Sequence, residues 1–283
     1  MSSNNNIILN RVFTRSTFTE LLKEQYSNTY YQVIKRYIEN IETKSNRILI
    51  SEIYKVMAHN YRNEYVYKNT LLNRLLIAKH SLKTTTALTE IPISKSKADF
   101  VLINGKAIVY EIKTELDSFD RLENQLSNYY KAFDNVCVVT CEDNFEKLDR
   151  LLKYSPAGIY ILTKRNRLSA RKEPITDNTN LDSNIMFKIL RKREFENILK
   201  IHYGELPIVS QVNYYNECYK LFGNIDIQEA YQYMLKELKK RAIIKIEEYK
   251  RIPYELKYLA YFSKYKTLDY QRLDNFLNKK FGG

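Results

Sequence analysis

The feature that most constrains the fold is an Asn104-Gly105 dipeptide between two apolar segments, residues 99–103 and 107–113. Asn-Gly between strand-forming residues is the strongest short-range signal for a β-hairpin. We therefore predict that the two segments pair as antiparallel strands, so that the charged residues at their far ends lie near one another.

Three charged residues stand at those far ends. Asp99 begins the first segment, and Glu111 and Lys113 end the second. Alternate residues of a strand point to the same face of the sheet, so Glu111 and Lys113 project together while Ile112 points away.

The length of the hairpin loop decides whether Asp99 joins them. A two-residue loop would pair Asp99 with Tyr110 and turn Glu111 to the opposite face. A three-residue loop over 103–105 would make Asp99 and Glu111 diagonal neighbours on one face, and a loop over 104–106 would set them directly opposite. A shared site therefore requires one of the three-residue loops.

A helix predicted over residues 118–133 follows the hairpin. Its residues Arg121, Gln125 and Tyr129 recur every four positions and so share one face, next to an apolar stripe that includes Leu122. Gln and Tyr hydrogen-bond to phosphate oxygens, and Arg binds them by charge as well. The same pattern also fits an ordinary amphipathic helix with its polar residues outward.

The order of elements predicts an α/β fold with a mixed β-sheet flanked by helices. Residues 61–170 form the core, with a helix over 64–79 and then strands and one helix. The remaining segments are a helical N-terminal extension over 1–60 and a helical C-terminal region over 171–283, where Asp226 caps a helix running to Lys250. Besides the hairpin, the predicted strands cover residues 87–93, 136–140 and 158–163.

Composition narrows the class of partner. The net charge is +13, which favours a polyanion. No apolar run approaches the roughly 18 residues of a membrane span, so we expect nucleic acid and no membrane. The three cysteines show no metal-ligand spacing and fit a reducing cytoplasm. The sequence leaves a homodimer open and identifies no protein partner.

Two carboxylates held close together repel each other unless a hard cation with oxygen ligands binds between them. Mg²⁺ at such a site acts as a Lewis acid on a phosphodiester and lowers the pKa of a bound water. The backbone carbonyl of Ile112 would offer a further oxygen ligand, and Lys113 would orient the water and offset negative charge. Asp99, Glu111 and Lys113 thus predict a site for phosphodiester hydrolysis.

The arrangement resembles the PD-(D/E)XK nuclease superfamily and, more narrowly, the sce7726 family of bacterial proteins. The resemblance extends over about residues 61–170, and Ala98 stands where the superfamily name has Pro. Gln125 and Tyr129 match a Gln-x-x-x-Tyr motif found in some nuclease branches. The residues that carry the resemblance are Glu90, Ala98, Asp99, Glu111, Lys113, Arg121, Gln125 and Tyr129.

The resemblance implies a restriction-endonuclease-like core that cleaves nucleic acid with Mg²⁺ or Mn²⁺. By position, Asp99 and Glu111 would bind the metal and Lys113 would be the catalytic lysine. Glu90 would be an additional acid, for a second metal, and Glu64 on the preceding helix is a weaker candidate for that role.

We therefore expect a cytoplasmic bacterial or mobile-element nuclease that acts on DNA rather than RNA. One alternative is a non-catalytic nucleic-acid-binding protein on the same fold. Another is a protein in phage defence or a mobile element whose cleavage depends on a partner.

Overall fold

The computed structural model describes residues 7–77, 81–242 and 244–282. These residues form fourteen α-helices and six strands, in two compact units. The first, called here the helical unit, takes its described residues from Met1–Lys79, Lys164–Arg167 and Ile243–Gly283. The second, the sheet unit, takes them from His80–Thr163 and Leu168–Ala242.

The six strands follow chain order across a single mixed sheet. Pairing is antiparallel from the first strand to the third, parallel from the third to the fifth, and antiparallel between the last two. This confirms the predicted mixed α/β class. The strands are β1 Thr86–Ile93, β2 Ser96–Asn104, β3 Lys106–Ile112, β4 Val136–Thr140, β5 Gly158–Leu162 and β6 Leu168–Lys172.

The inner strands β4 and β5 are almost entirely apolar, and every one of their residues is buried. Parallel strands that are covered on both faces require this composition. Their crossovers are helices, α6 (Leu122–Tyr130) between β3 and β4 and α7 (Phe145–Leu151) between β4 and β5. The parallel half of the sheet is therefore built from βαβ units.

One face of the sheet carries the main core of the sheet unit. Val109 of β3 and Val138 of β4 pack there in one cluster with Leu122 and Leu126 of α6. Glu111 lies two residues after Val109, so it points to the same face. The apolar pattern that seats α6 on the sheet therefore also turns Glu111 toward that helix.

Four further helices of the sheet unit add apolar residues to the same core. A buried ion pair joins the second of them to the segment after the fourth, since Arg241 lies 2.5 Å from Glu194. Asp226 caps the fourth, as predicted, by accepting from the backbone N–H groups of Gln228 and Glu229. These helices are α8 Ser183–Ile189, α9 Lys192–Tyr203, α10 Gln211–Gly223 and α11 Ile227–Lys239.

The helical unit joins the N-terminal and C-terminal parts of the chain. Asn46 donates to the carbonyl of Phe276 (3.0 Å) and accepts from the hydroxyl of Tyr30 (2.9 Å). Phe13 stacks on Tyr65 with ring centroids 4.9 Å apart. Its helices are α1 Ile7–Val12, α2 Arg15–Glu24, α3 Asn28–Tyr37, α4 Asn46–Asn60, α5 Glu64–Leu71, α12 Ile246–Lys250, α13 Lys257–Phe262 and α14 Thr267–Asn278.

Within the described part of the chain, each helix is too short or too polar to cross a bilayer. The two compact units also have boundaries different from those of the predicted segments 1–60, 61–170 and 171–283, because residues far apart in sequence pack together in the helical unit.

Several predicted boundaries are wrong. β6 was not predicted, since Leu168–Lys172 is a polar edge strand without a buried face. The helix capped by Asp226 ends at Lys239 rather than Lys250. The helix from Glu64 is α-helical only to Leu71 and continues as a π-helix over Leu72–Ile77; its predicted end at Lys79 lies outside the described residues.

Gly158 at the start of β5 yields a stability prediction. A Cβ there would lie 2.8 Å from the backbone nitrogen of Pro174 and 2.9 Å from the carbonyl oxygen of Lys172. Because these backbone atoms cannot move aside cheaply, we expect Gly158→Ala to destabilise the protein by about 1–3 kcal/mol in urea unfolding.

Gly223 provides the matched control. A Cβ there would meet nothing within 4 Å, so Gly223→Ala should leave stability unchanged or raise it by about 0.4–1 kcal/mol. Equal unfolding midpoints for Gly158→Ala and the unmodified chain would contradict the prediction.

Candidate functional site

The hairpin between β2 and β3 has the register expected of the loop over 104–106, since Ile103 pairs with Ala107 and Asn104 with Lys106, with Gly105 between them. Phe100 pairs with Tyr110, and the same register continued by one residue brings Asp99 to the position opposite Glu111. The middle residue of the loop is a glycine with a φ of +73°, a conformation that glycine adopts without strain. This is one of the two registers in which Asp99 and Glu111 can share a site.

Regular pairing of β2 with β3 stops at Phe100 and Tyr110. Beyond it, the backbone N–H of Ile112 donates to Oδ2 of Asp99 at 2.9 Å. The N–H and C=O of one residue in a strand point to the same side. The Ile112 carbonyl is therefore directed toward the side on which the partly exposed Asp99 carboxylate lies.

Glu111 is at the centre of a hydrogen-bond network and is only 2% exposed. Its Oε1 accepts from Nε2 of Gln125 at 2.5 Å, and its Oε2 accepts from the hydroxyl of Tyr129 at 2.6 Å. Lys113 Nζ donates to Oε1 of Gln125 at 2.8 Å and lies 3.2 Å from Glu111 Oε1. Two residues of the β3 strand end and two of α6 thus form one network.

Gln125 and Tyr129 are one turn apart and so share one face of α6. Both side chains can therefore contact Glu111. Tyr129 is fully buried and Lys113 is 8% exposed. Gln125 and Tyr129 are therefore turned toward Glu111, while Glu123, Asn124 and Ser127 of the same helix are exposed.

Burial raises the pKa of the Glu111 carboxyl, because an ionised carboxylate loses its hydration in the interior. The hydrogen bond from Tyr129, the charge and hydrogen bond of Lys113 and the hydrogen bond from Gln125 act in the opposite direction. Burial also raises the pKa of Tyr129, and the adjacent Glu111 raises it further. Tyr129 therefore keeps its proton and can donate it.

The Tyr129 hydroxyl has two acceptors within reach. It lies 2.6 Å from Glu111 Oε2 and 2.9 Å from the carbonyl oxygen of Lys97. A hydroxyl has one proton to donate. When Glu111 is protonated, its carboxyl O–H can donate a hydrogen bond to the Tyr129 oxygen, and Tyr129 can donate to the carbonyl of Lys97. When Glu111 is ionised, Tyr129 can donate to the Glu111 carboxylate instead.

Glu90 lies on β1 opposite Asp99, since the flanking pairs Thr89 with Phe100 and Ile91 with Ala98 enclose both residues. A carboxylate oxygen of Glu90 is within 4.8 Å of one of Asp99.

The backbone of Glu90 has a φ of +57°, which a non-glycine residue in a strand rarely adopts. Its Oε2 is also 2.7 Å from Nζ of Lys97. Such a conformation is often found at functional sites, where the surrounding structure holds it in place.

Arg121 is not part of the network. It is the exposed N-cap residue of α6, which begins at Leu122 instead of residue 118. The carbonyl of Arg121 accepts from the N–H of Gln125, so Arg121 lies one helical turn before Gln125. Glu64 belongs to the helical unit, where its carboxylate is 2.6 Å from Lys68.

Two contributions were missed by the sequence analysis. Lys97 contributes its carbonyl to Tyr129 and its ammonium to Glu90. Asp117 accepts from both the N–H and the hydroxyl of Thr114, at 2.8 and 2.7 Å, and so fixes the turn that follows Lys113. The spacing of Thr114 and Asp117 is a signal for such a turn, whereas no sequence pattern marks Lys97.

The donor set fits a hard divalent cation. Asp99 and Glu111 each follow the last regular pair of β2 and β3, and the carbonyl of Ile112 is directed to the same side as Asp99, so these three groups could supply oxygen ligands from two adjacent strands. Lys113 is next to them as a fixed positive charge. The set contains no sulfur or imidazole, which argues for Mg²⁺ or Mn²⁺ over zinc.

The fold and the site together define an α/β protein with a mixed sheet and a buried carboxylate–lysine network at the end of a β-hairpin. The chain matches the family described as Bacteriophage P4 protein cII over residues 57–259, and it therefore belongs to that family. No curated protein and no solved structure is significantly similar to it.

The raised pKa of Glu111 predicts a pH-dependent stability. The folded chain holds the Glu111 proton at a pH at which the unfolded chain, with a pKa near 4.5, has released it. The Glu111 contribution to stability is therefore present at low pH and is lost as pH rises through the folded-state pKa. In EDTA, Glu111→Gln should become progressively more stable than the unmodified protein between pH 4 and pH 8.

Thermal unfolding of both proteins across this pH range tests the prediction. The exposed Glu146 of α7 is the control, because Glu146→Gln should give a melting temperature that stays parallel to that of the unmodified protein. A parallel curve for Glu111→Gln as well would show that the Glu111 pKa is not raised.

Proposed function

We propose that the chain is a metal-dependent nuclease of the PD-(D/E)XK type that hydrolyses phosphodiester bonds, in DNA rather than RNA. The observation that supports this most is the convergence of Asp99, Glu111 and Lys113 with Gln125 and Tyr129. Five residues chosen from the sequence alone meet in one network or in the strand pair beside it. The resemblance to the sce7726 family supports the same reading.

In this proposal Asp99, Glu111 and the Ile112 carbonyl hold Mg²⁺ or Mn²⁺. The bound cation would polarise the scissile phosphate and lower the pKa of an attacking water. Lys113 would offset negative charge that develops on the phosphate and would help to orient the water. Gln125 and Tyr129 would position Glu111 rather than bind the phosphate, because both donate to its carboxylate.

Glu111 must be ionised to act as a ligand. Its raised pKa opposes ionisation in the free protein, and a nearby divalent cation favours it. Tyr129 would then donate to Glu111 and leave the Lys97 carbonyl, with the Glu111 proton released to solvent. Gln125 would hold Lys113 and Glu111 in place during this change, since it contacts both.

The test is cleavage of single-stranded, duplex and branched DNA, and of RNA, by the purified full chain with Mg²⁺ or Mn²⁺. We expect cleavage that EDTA abolishes and that Glu111→Gln lowers by about 10²–10³-fold, by analogy with the loss of one group that stabilises developing charge. Lys113→Met should give a similar loss.

Glu146→Gln is the matched control, because it removes an exposed carboxylate of the same unit that is not part of the network. Cleavage that survives Glu111→Gln at full rate would come from another site or a contaminant and would refute the proposal.

The main alternative is a non-catalytic nucleic-acid-binding protein on the same fold. The burial of Glu111 supports this alternative, because a carboxylate that is 2% exposed and fully hydrogen-bonded can serve the core alone. DNA binding that Glu111→Gln leaves unchanged, with no cleavage of any substrate, would favour it. The family carries the name of a bacteriophage protein, which supports a mobile-element origin for the chain.

A further inference from the structure

The two units differ sharply in charge. The helical unit has 24 Lys and Arg against 11 Asp and Glu, and the sheet unit has 22 of each. The whole net charge of +13 therefore belongs to the helical unit, while the unit with the candidate site is neutral. A nucleic acid attracted by charge would be held by the helical unit.

The helical unit contains a groove lined by three cations and three side-chain amides, groups that can bind phosphate. The groove lies between the end of α2 and the helix α14, which are linked by a hydrogen bond from Gln25 Nε2 to the carbonyl of Arg272 (3.2 Å). Among the described residues that line it, none is acidic. They are Leu22, Lys23, Gln25, Arg272, Asn275, Asn278 and Lys279.

The three cations of the groove are available to a ligand. In the part of the chain that the structure describes, Lys23, Arg272 and Lys279 have side chains that form no ion pair. The nearest acid on α14 is Asp274, which faces Arg47 at 3.4 Å and accepts from the amide of Asn278 at 3.3 Å. Free cations next to side-chain amides are the groups that proteins use to contact phosphate oxygens.

An exposed aromatic residue follows the groove in sequence. Tyr26 comes directly after Gln25 and is 52% exposed. Aromatic side chains next to a cationic groove provide stacking surfaces for unpaired bases. This residue favours a nucleic acid over a lipid headgroup as the source of the phosphates.

We propose that the groove between α2 and α14, here called the α2–α14 groove, binds the phosphate backbone of nucleic acid without reading its sequence. The inference rests on the proposed function for its choice of partner, and it assigns backbone binding to the helical unit. Lys23, Arg272 and Lys279 would contact phosphates, with Gln25 and Asn275 as neutral hydrogen-bond partners.

The experiment measures DNA binding by the full chain over a range of salt concentrations in EDTA, which prevents cleavage. The test variant combines Lys23→Gln, Arg272→Gln and Lys279→Gln. The slope of log K against log salt is negative, and each lost phosphate contact lowers its magnitude by about 0.9 for duplex DNA and 0.7 for single strands. We expect the magnitude of the slope to fall by about 2–3 and affinity at low salt to fall at least about tenfold.

A matched control removes the same charge from the sheet unit. Lys188→Gln, Arg193→Gln and Lys200→Gln change three exposed cations there and should leave the slope nearly unchanged. Equal losses in both triple variants would show that only net charge matters, and this result would overturn the groove assignment. Circular dichroism of each variant checks that it has folded.

The outcomes separate this inference from the nuclease proposal. Cleavage that requires Glu111, with a salt slope unaffected by the groove variant, would overturn the groove alone. Binding that depends on the groove, with no cleavage under any condition, would overturn the nuclease alone. No binding to DNA or RNA, or a groove variant that loses binding only to vesicles of anionic phospholipid, would also overturn the groove assignment.

Discussion

The geometry of the candidate site depends on the hydrogen bonds that stabilise one buried carboxylate, that of Glu111. Removing Glu111 from water costs several kcal/mol if it stays ionised and unpaired. Donors from Gln125, Tyr129 and Lys113 offset that cost and join the end of β3 to α6. The helix that covers the apolar face of the sheet therefore also positions the site. A small shift of α6 would leave a buried acid without partners, so core packing and site geometry cannot vary independently.

A second constraint is parity in the β2–β3 hairpin. Because side chains alternate between faces, a loop of one residue more or fewer would move either Asp99 or Glu111 to the other side of the sheet. The three-residue loop with its left-handed glycine keeps both on one face. The end of regular pairing beyond Phe100 then lets Asp99 accept from Ile112, as a strand partner would. The site thus forms where the hairpin opens.

The sequence predicted what periodicity and local turn signals encode. The strands β1 to β5 follow from apolar segments bounded by turn residues, and the shared face of Gln125 and Tyr129 follows from helical spacing. The loop length did not follow, because Asn-Gly suits two-residue and three-residue turns alike. The left-handed backbone of Glu90 has no local signal, since no glycine marks it. β6 was missed because an exposed edge strand lacks the apolar alternation that identifies a half-buried one.

The net charge of the chain belongs to the helical unit, while the candidate site belongs to the neutral sheet unit. The sheet unit has no net charge to attract a polyanion over a long range, so the positive charge close to Glu111 is that of Lys113, whose Nζ lies 3.2 Å from the carboxylate. This arrangement suits a site whose selectivity depends on short-range geometry, because Coulomb attraction from many distant cations would hold any phosphate equally well. In the two proposals, the helical unit supplies affinity for the phosphate backbone and Glu111 of the sheet unit supplies a metal ligand. Under the two proposals, substitutions in the helical unit would change the strength of nucleic-acid binding, and substitutions in the sheet unit would change cleavage.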